Sequence, residues 1–331
     1  MYASLKAAGD LGEGGSAPVE AFADRLIRAI DRTGCPIVVG LDPRLDLMPP
    51  QLVRTSYTRH GETHGAASQA IREFNLRLLD AVAPHVPAVK VQVAYYEVFG
   101  PPGMAVFAET LSAARQRGLI VIADAKRGDI EVVAQAYAAA YLTSSLPEVA
   151  LTPAFESDAI TVNPYVGSDG VMPFVRAAQS CGKGVFILVK TSNPSSGDVQ
   201  NLMVDGQPLY ERVAGLVQQW GKDTEGQRGY QAVGAVVGAT YPAEAARLRR
   251  VMPRTYFLVP GYGAQGAGAT DIQACFSPDG YGAIINSSRG ILYAYRQEEY
   301  RAFGAECFSE AAVAAVRAMR QELAAVLRPW R

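Results

Sequence analysis

The stretch LIVIADAKRGDI, residues 119–130, changes character halfway along. Leu119 to Ala123 form an apolar run rich in Val and Ile with no polar alternation, the pattern of a parallel strand covered on both faces. Charge follows at once, with Asp124, Lys126 and Asp129 inside six residues. Acid, base and acid at the end of a buried strand point to a rim where several strand ends meet and do chemistry.

Seven more runs of the same kind share the chain: PIVVGLD (36–42), AVKVQV (88–93), AITVN (159–163), GVFILVK (184–190), AVGAVVG (232–238), TYFLVP (255–260) and GAIINSS (282–288). Helix-compatible segments separate them, among them SQAIREFNLRLLDAVA, MAVFAETLSAARQRG, PLYERVAGLVQQWGK and PAEAARLRRVM. Eight strands alternating with eight helices predict an α/β fold, a (β/α)8 TIM barrel. Periodicity alone leaves open an unclosed doubly wound sheet with an extra lobe. No internal repeat or linker divides the chain, so one catalytic barrel domain is expected over 17–331, behind a mobile Gly-, Ala- and Ser-rich tail at 1–16. Ser16 and Pro18 suit the start of a first helix and Gly34 its stop. Longer loops are expected near 44–66 and 191–207.

With 331 residues, 49% of them hydrophobic, the chain has ample material for a large core. Lys plus Arg number 31 against 32 Asp plus Glu, a net charge of -1. That balance argues against a nucleic-acid groove or an anionic membrane surface and points to a small-molecule substrate. Cys35, Cys181, Cys275 and Cys307 lack C-x-x-C spacing, which argues against a zinc site or disulfide framework and suits a reducing cytoplasm. The N-terminus lacks the apolar core of a signal peptide, and no stretch is long enough to span a membrane.

If the barrel forms, its active site lies where the runs end, and those ends are polar. They supply Asp42, Lys90, Asp124, Lys126, Asn163, Lys190, Thr191 and Ser192. Asp124 and Lys126, two apart on an extended chain, face the same side, and flanking carboxylates keep a lysine charged. A salt bridge closing the barrel accounts for a lone Asp-x-Lys equally well. Lys90 and Asp129 shift the balance towards function, because an alternating network of four charges is costly to bury for stability alone. Asp42 suits a loop cap as well as a ligand contact. PGYGAQGAG (260–268) and NSSRG (286–290) follow the last two runs, where barrels often bind phosphate: backbone N–H groups of a glycine-rich loop, with Gly263 and Gly266, and a bidentate Arg289 fit an oxyanion. His60, His64 and His85 share no metal-ligand spacing, and there is no G-x-S-x-G elbow.

LDPR (41–44), VKVQVAYYEVFG (89–100), DAKRGD (124–129), VNPYVG (162–167), LVKTSNPSS (188–196) and PGYGAQG (260–266), in this order, resemble the orotidine 5′-phosphate decarboxylases, in particular their longer bacterial branch. The likeness runs from about residue 36 to about residue 295. It implies decarboxylation of orotidine monophosphate at C6 to UMP in pyrimidine biosynthesis, with no metal and no organic cofactor. It also implies roles: Lys126 protonates C6, Asp124 lies near the departing carboxylate, and Lys90 and Asp129 complete the network. Asp42 and Lys90 would meet ribose hydroxyls, Ser192, next to Thr191, the pyrimidine edge, and Gln265 and Arg289 the phosphate. A homodimer is implied, with Asp129 entering the partner's site. TSNPSSGDVQNL (191–202) would close over the substrate. Val133 stands where the family usually carries a Thr that reaches the ribose. Magnesium-dependent members of the superfamily place an acid where Lys90 stands, and a Schiff-base aldolase would need a neutral lysine, which the aspartates oppose.

Overall fold

In a computed structural model of the chain, the described residues are 19–143, 152–263 and 268–327. The expected tail at 1–16, Gln265 and Gly266 lie outside them. Ten strands run in chain order: β1 (Ile37–Leu41), β2 (Ala88–Gln92), β3 (Ile120–Arg127), β4 (Ala159–Val162), β5 (Gly184–Lys190), β6 (Met203–Val204), β7 (Gln207–Pro208), β8 (Val233–Val237), β9 (Phe257–Val259) and β10 (Ala283–Ser287). All but the β6–β7 hairpin form a closed parallel barrel, ordered β1-β10-β9-β8-β5-β4-β3-β2. Each apolar run contains or begins one barrel strand. The pairing of Ile37 with Ile285 and Val39 with Ser287 joins the ends of the sheet and removes the open-sheet alternative.

The strands are apolar on both faces because both are buried. Val89, Val91, Val121 and Ala123 face the surrounding helices, while Ala88, Ile120 and Ile122 point into the barrel. The first helix, α1 (Phe22–Thr33), closes the N-terminal end of the barrel by placing Phe22, Leu26, Ile27 and Ile30 against Val38, Ile122 and Phe186. The Phe22 and Phe186 rings meet edge to face, 5.9 Å apart. Glycine makes the room: a Cβ on Gly184 would lie 2.5 Å from the Phe22 ring, and one on Gly234 would lie 2.4 Å from Phe186. Gly34 ends the helix in the left-handed region at φ 64°, donating its N–H to the Ile30 carbonyl at 2.7 Å. Ser16 and Pro18 lie outside the described residues; within them the helix begins at Phe22.

The segment expected as a loop at 44–66 contains a helix, Pro50–His60. Ser56 is its buried residue, so it carries no apolar stripe for a periodicity reading to find. The other long connection, 191–207, folds into short helical turns and half of the β6–β7 hairpin. No described helix is long and apolar enough to cross a membrane.

Candidate active site

A cleft of about 580 Å³ opens at the C-terminal ends of the barrel strands. The inward positions of β2 and β3, spaced two apart, bring Lys90, Gln92 and Asp124 into it, Lys126 joins them from the end of β3, and the loop after β1 adds Asp42. Asp124 is the hub. Its Oδ2 accepts from Lys90 Nζ at 2.8 Å and Gln92 Nε2 at 2.9 Å, and its Oδ1 from Lys126 Nζ at 2.7 Å and Thr161 Oγ1 at 2.9 Å. Lys90 also reaches Asp42 Oδ1 at 3.5 Å.

Burial alone would raise the Asp124 carboxyl pKa, but the Lys90 and Lys126 ammonium groups outweigh it and hold the acid well below the usual carboxylate range. Burial likewise works against the Lys90 ammonium, and the Asp124 and Asp42 carboxylates reverse that effect and push its pKa up. Both groups are therefore charged at neutral pH. Lys90 is locked inside the network, with a side chain 6% exposed, whereas the Lys126 side chain is 44% exposed and has Asp124 as its anchor. Of the two ammonium groups, only Lys126 has room to reorient towards a bound molecule.

Lys126 lies at φ 45°, a left-handed conformation that costs a residue with a Cβ roughly 1–2 kcal/mol. The extended chain that would place Asp124 and Lys126 on one side is thus broken at Lys126, and the β3–β4 register shifts between Ala123 and Arg127. Thr161 holds the break. Its hydroxyl accepts the Lys126 N–H at 2.9 Å while donating to Asp124, so a single side chain fixes the backbone of one and the carboxylate of the other.

Thr191 and Ser192 line the cleft after β5. Gln200 fixes Thr191, its Oε1 accepting the Thr191 N–H at 3.0 Å and its Nε2 donating to Oγ1 at 2.8 Å. Arg289, exposed, lines the cleft beside Ser288 and makes no hydrogen bond or ion pair through its side chain with any described residue. Gly263, at φ 68°, follows the lining residue Tyr262 but stands outside the lining itself.

Three residues singled out from sequence face elsewhere. Asp129 is outside the cleft of its own chain, its Oδ1 accepting the Ile130 N–H at 2.7 Å. Asn163 turns back to accept the Tyr165 N–H at 3.1 Å. Lys190 is buried away from the cleft between the Tyr210 and Tyr241 rings, with Nζ 2.7 Å from Asn201 Oδ1, and so anchors the turn that follows Ser192. Sequence reasoning gave no role to Gln92, Thr161, Arg44, Tyr95, Asn193, Asn286 or Ser288. For two of them a signal existed: Gln92 falls two after Lys90, and Thr161 is the polar residue inside β4.

The geometry is that of a fixed anion between two cations, deep in a cleft with an arginine at its rim that is unpaired among the described residues. Known proteins resemble the chain in sequence and fold. Residues 36–303 match the family described as Orotidine 5'-phosphate decarboxylase / HUMPS family. An orotidine 5'-phosphate decarboxylase of Rhodopirellula baltica is 46% identical, over 91% of this chain and 98% of its own length. That of Caldicellulosiruptor bescii is 40% identical, over 83% of this chain and 90% of its own. The solved structure of Leishmania donovani OMP decarboxylase superposes with a TM-score of 0.66 at 33% identity, covering 91% of this chain and 99% of that one. Extent of match, identity and barrel agree, and the chain belongs to the orotidine 5'-phosphate decarboxylase / HUMPS family.

Proposed function

We propose that the cleft decarboxylates orotidine monophosphate to UMP and CO2, a carboxy-lyase step of pyrimidine biosynthesis, with Lys126 delivering the proton to C6. The activity is the one named for the relatives at 46% and 40% identity. The observation that carries the residue roles is the Lys90–Asp124–Lys126 array at 2.8 and 2.7 Å. When the C6–carboxylate bond breaks, its electron pair stays on C6, and the ring needs a cation and then a proton at that atom. An ammonium held ready at the cleft surface supplies both, and the array needs no reorganisation as charge develops. Lys126 is left neutral and regains its proton from solvent, which reaches its exposed side chain. Asp124, kept ionised, faces the departing carboxylate and orients Lys126.

The other half of the family name, whose members use magnesium, fits these residues less well. Both Asp124 oxygens are taken by ammonium groups, and Lys90 stands between Asp42 and Asp124 where a metal would be held. We therefore assign no metal or organic cofactor. Asp42 and Lys90 are assigned to the ribose hydroxyls, Ser192 with Thr191 to the ring edge, and Arg289 to the phosphate, helped by the loop containing Gly263, Gln265 and Gly266. Binding energy at a remote phosphate can close the 191–202 segment over the reacting ring.

The working unit in this proposal is a homodimer of single barrel domains (17–331), with Asp129 lending its carboxylate to the partner's cleft. Support comes from the surface around it. Ile130, Val132 and Val133 are exposed together with Val98, Tyr165 and Val166, apolar area of the kind that subunit contact covers. Val133, where a Thr would reach the ribose, costs one hydrogen bond, worth about 0.5–1.5 kcal/mol of binding. The unpaired cysteines suit the cytoplasm. The test is a spectrophotometric assay with orotidine monophosphate, with and without EDTA. Turnover insensitive to the chelator is expected; no turnover, or turnover abolished by it, overturns the assignment.

A further inference from the structure

At the opposite end of the barrel from the catalytic mouth, a second cleft of about 330 Å³ is lined by Arg25, Arg28 and Arg32 of α1, by Arg115, and by the chain entering β3. The three α1 arginines fall at i, i+3 and i+7, so they form one stripe on the face turned away from Phe22, Leu26 and Ile30. Like charges at this spacing cost a helix a few tenths of a kcal/mol each, so helix formation does not account for them.

Carboxylates answer only part of this charge. Asp158 in the cleft wall is fully engaged, accepting Arg25 Nη1 at 2.8 Å and the Val121 N–H at 2.9 Å. Arg28 meets the exposed Glu20 at 2.7 Å, and Glu156 is shared between Arg115 and Lys183. Arg32 makes no ion pair with any described residue, and its Nη2 donates only to the Gly118 carbonyl at 3.0 Å. Among the described residues around the cleft, five cations (Arg25, Arg28, Arg32, Arg115, Lys183) stand against three carboxylates (Asp158, Glu20, Glu156), an excess of two positive charges. Guanidinium forks match phosphate oxygens bidentately, and the lining cations are all arginine.

We propose that this cleft is a binding site for a small phosphorylated anion, of the pyrophosphate or phosphomonoester class, distinct from the substrate site. Arg28 and Arg32 grip the phosphate oxygens; Arg25 and Arg115, braced by Asp158 and Glu156, set the walls. The site sits on the first residues of β3, and Asp158 hydrogen-bonds to Val121 within the strand that ends in Asp124 and Lys126. An anion bound here therefore touches the base of the strand that carries the catalytic array.

The probe is inorganic pyrophosphate, titrated into the full-length chain by calorimetry at low ionic strength. An Arg289→Ala background weakens the phosphate locus in the catalytic mouth, so that the two sites are told apart. One saturable site per chain is expected to remain in that background. Arg28→Ala and Arg32→Ala, both solvent-facing, should each weaken it about tenfold, the loss of roughly one charged hydrogen bond, with an unchanged circular dichroism spectrum. Arg32→Lys, which keeps the charge but loses the fork, should fall between wild type and Arg32→Ala. Absence of saturable binding overturns the proposal. So does binding that Arg289→Ala removes, binding indifferent to Arg28 and Arg32, or a response that chloride reproduces at equal ionic strength.

Discussion

Thr161 joins Asp124 to Lys126 in the charged array, and Thr161→Val removes its hydroxyl while keeping its shape. The side chain is fully buried and makes two contacts at 2.9 Å, donating to the Asp124 carboxylate and accepting the Lys126 N–H. A hydrogen bond to a charged group is worth about 1.5–3 kcal/mol, and a buried N–H left without a partner costs about 1–3 kcal/mol. Because the two contacts share one oxygen they will not add fully, and a loss of about 3 kcal/mol in unfolding free energy is expected. Catalysis should suffer separately. Lys126 is held at φ 45°, and without the Thr161 contact the strain of roughly 1–2 kcal/mol can relax by moving its ammonium. A misplacement on the order of 1 Å can cost about a hundredfold in rate, so kcat should drop on that scale while KM changes little. Thr161→Ser keeps the hydroxyl and should recover most of both losses. Urea unfolding gives the stability and a steady-state assay gives the rate. If the Val variant loses less than about 0.5 kcal/mol and keeps its kcat, Thr161 does not hold the array and the account of the Lys126 conformation is wrong.

Three further outcomes test the proposed site. Asp124 has a folded pKa below its unfolded value of about 3.9, so its contribution to stability is complete above that pH and fades as the pH falls towards the folded value. Lys90, raised above about 10.4, contributes fully below that pH and loses its contribution as the pH climbs through the folded value. The stability gap between wild type and Asp124→Asn should therefore narrow below pH ~4; a gap that stays constant down to pH ~2 would contradict the ion-pair reading. Arg289→Ala should lower kcat/KM mainly through KM, and an unchanged kcat/KM would place the phosphate elsewhere. Mixing inactive Lys126→Ala and Asp129→Ala chains should restore about a quarter of the sites if dimers pair at random, because half the dimers are mixed and each holds one intact site. Proven subunit exchange without recovered activity would refute a shared Asp129.

The barrel was legible because strands buried on both faces read as unbroken apolar runs: seven of the eight barrel strands fall within such runs, and β3 starts in one and continues through the charged residues to Arg127. Closure was not, since the pairing of Ile37 with Ile285 joins residues far apart in the chain and leaves no local trace. Helix Pro50–His60 escaped for a different reason: propensity and Pro50 start it, yet it buries too little to show a stripe. In the cleft, charged residues after a run announced themselves, whereas Gln92 and Thr161 required counting inward positions along neighbouring strands. The left-handed turn at Lys126 had no local signal, since nothing but tertiary contact holds a lysine there. Lys190 shows the converse, a charge at a strand end that turns outward to aromatic rings.

The central claim is that the Lys126 ammonium gives C6 its proton, and turnover of orotidine monophosphate by Lys126→Ala tests it most directly. Lys126 is substantially exposed and Lys90 still pairs with Asp124 in its absence, so the variant should fold with an unchanged circular dichroism spectrum. Its kcat should fall by many orders of magnitude, to near the detection limit. A folded variant that keeps more than about a tenth of wild-type turnover, a barrier change of only about 1.4 kcal/mol, would contradict the account.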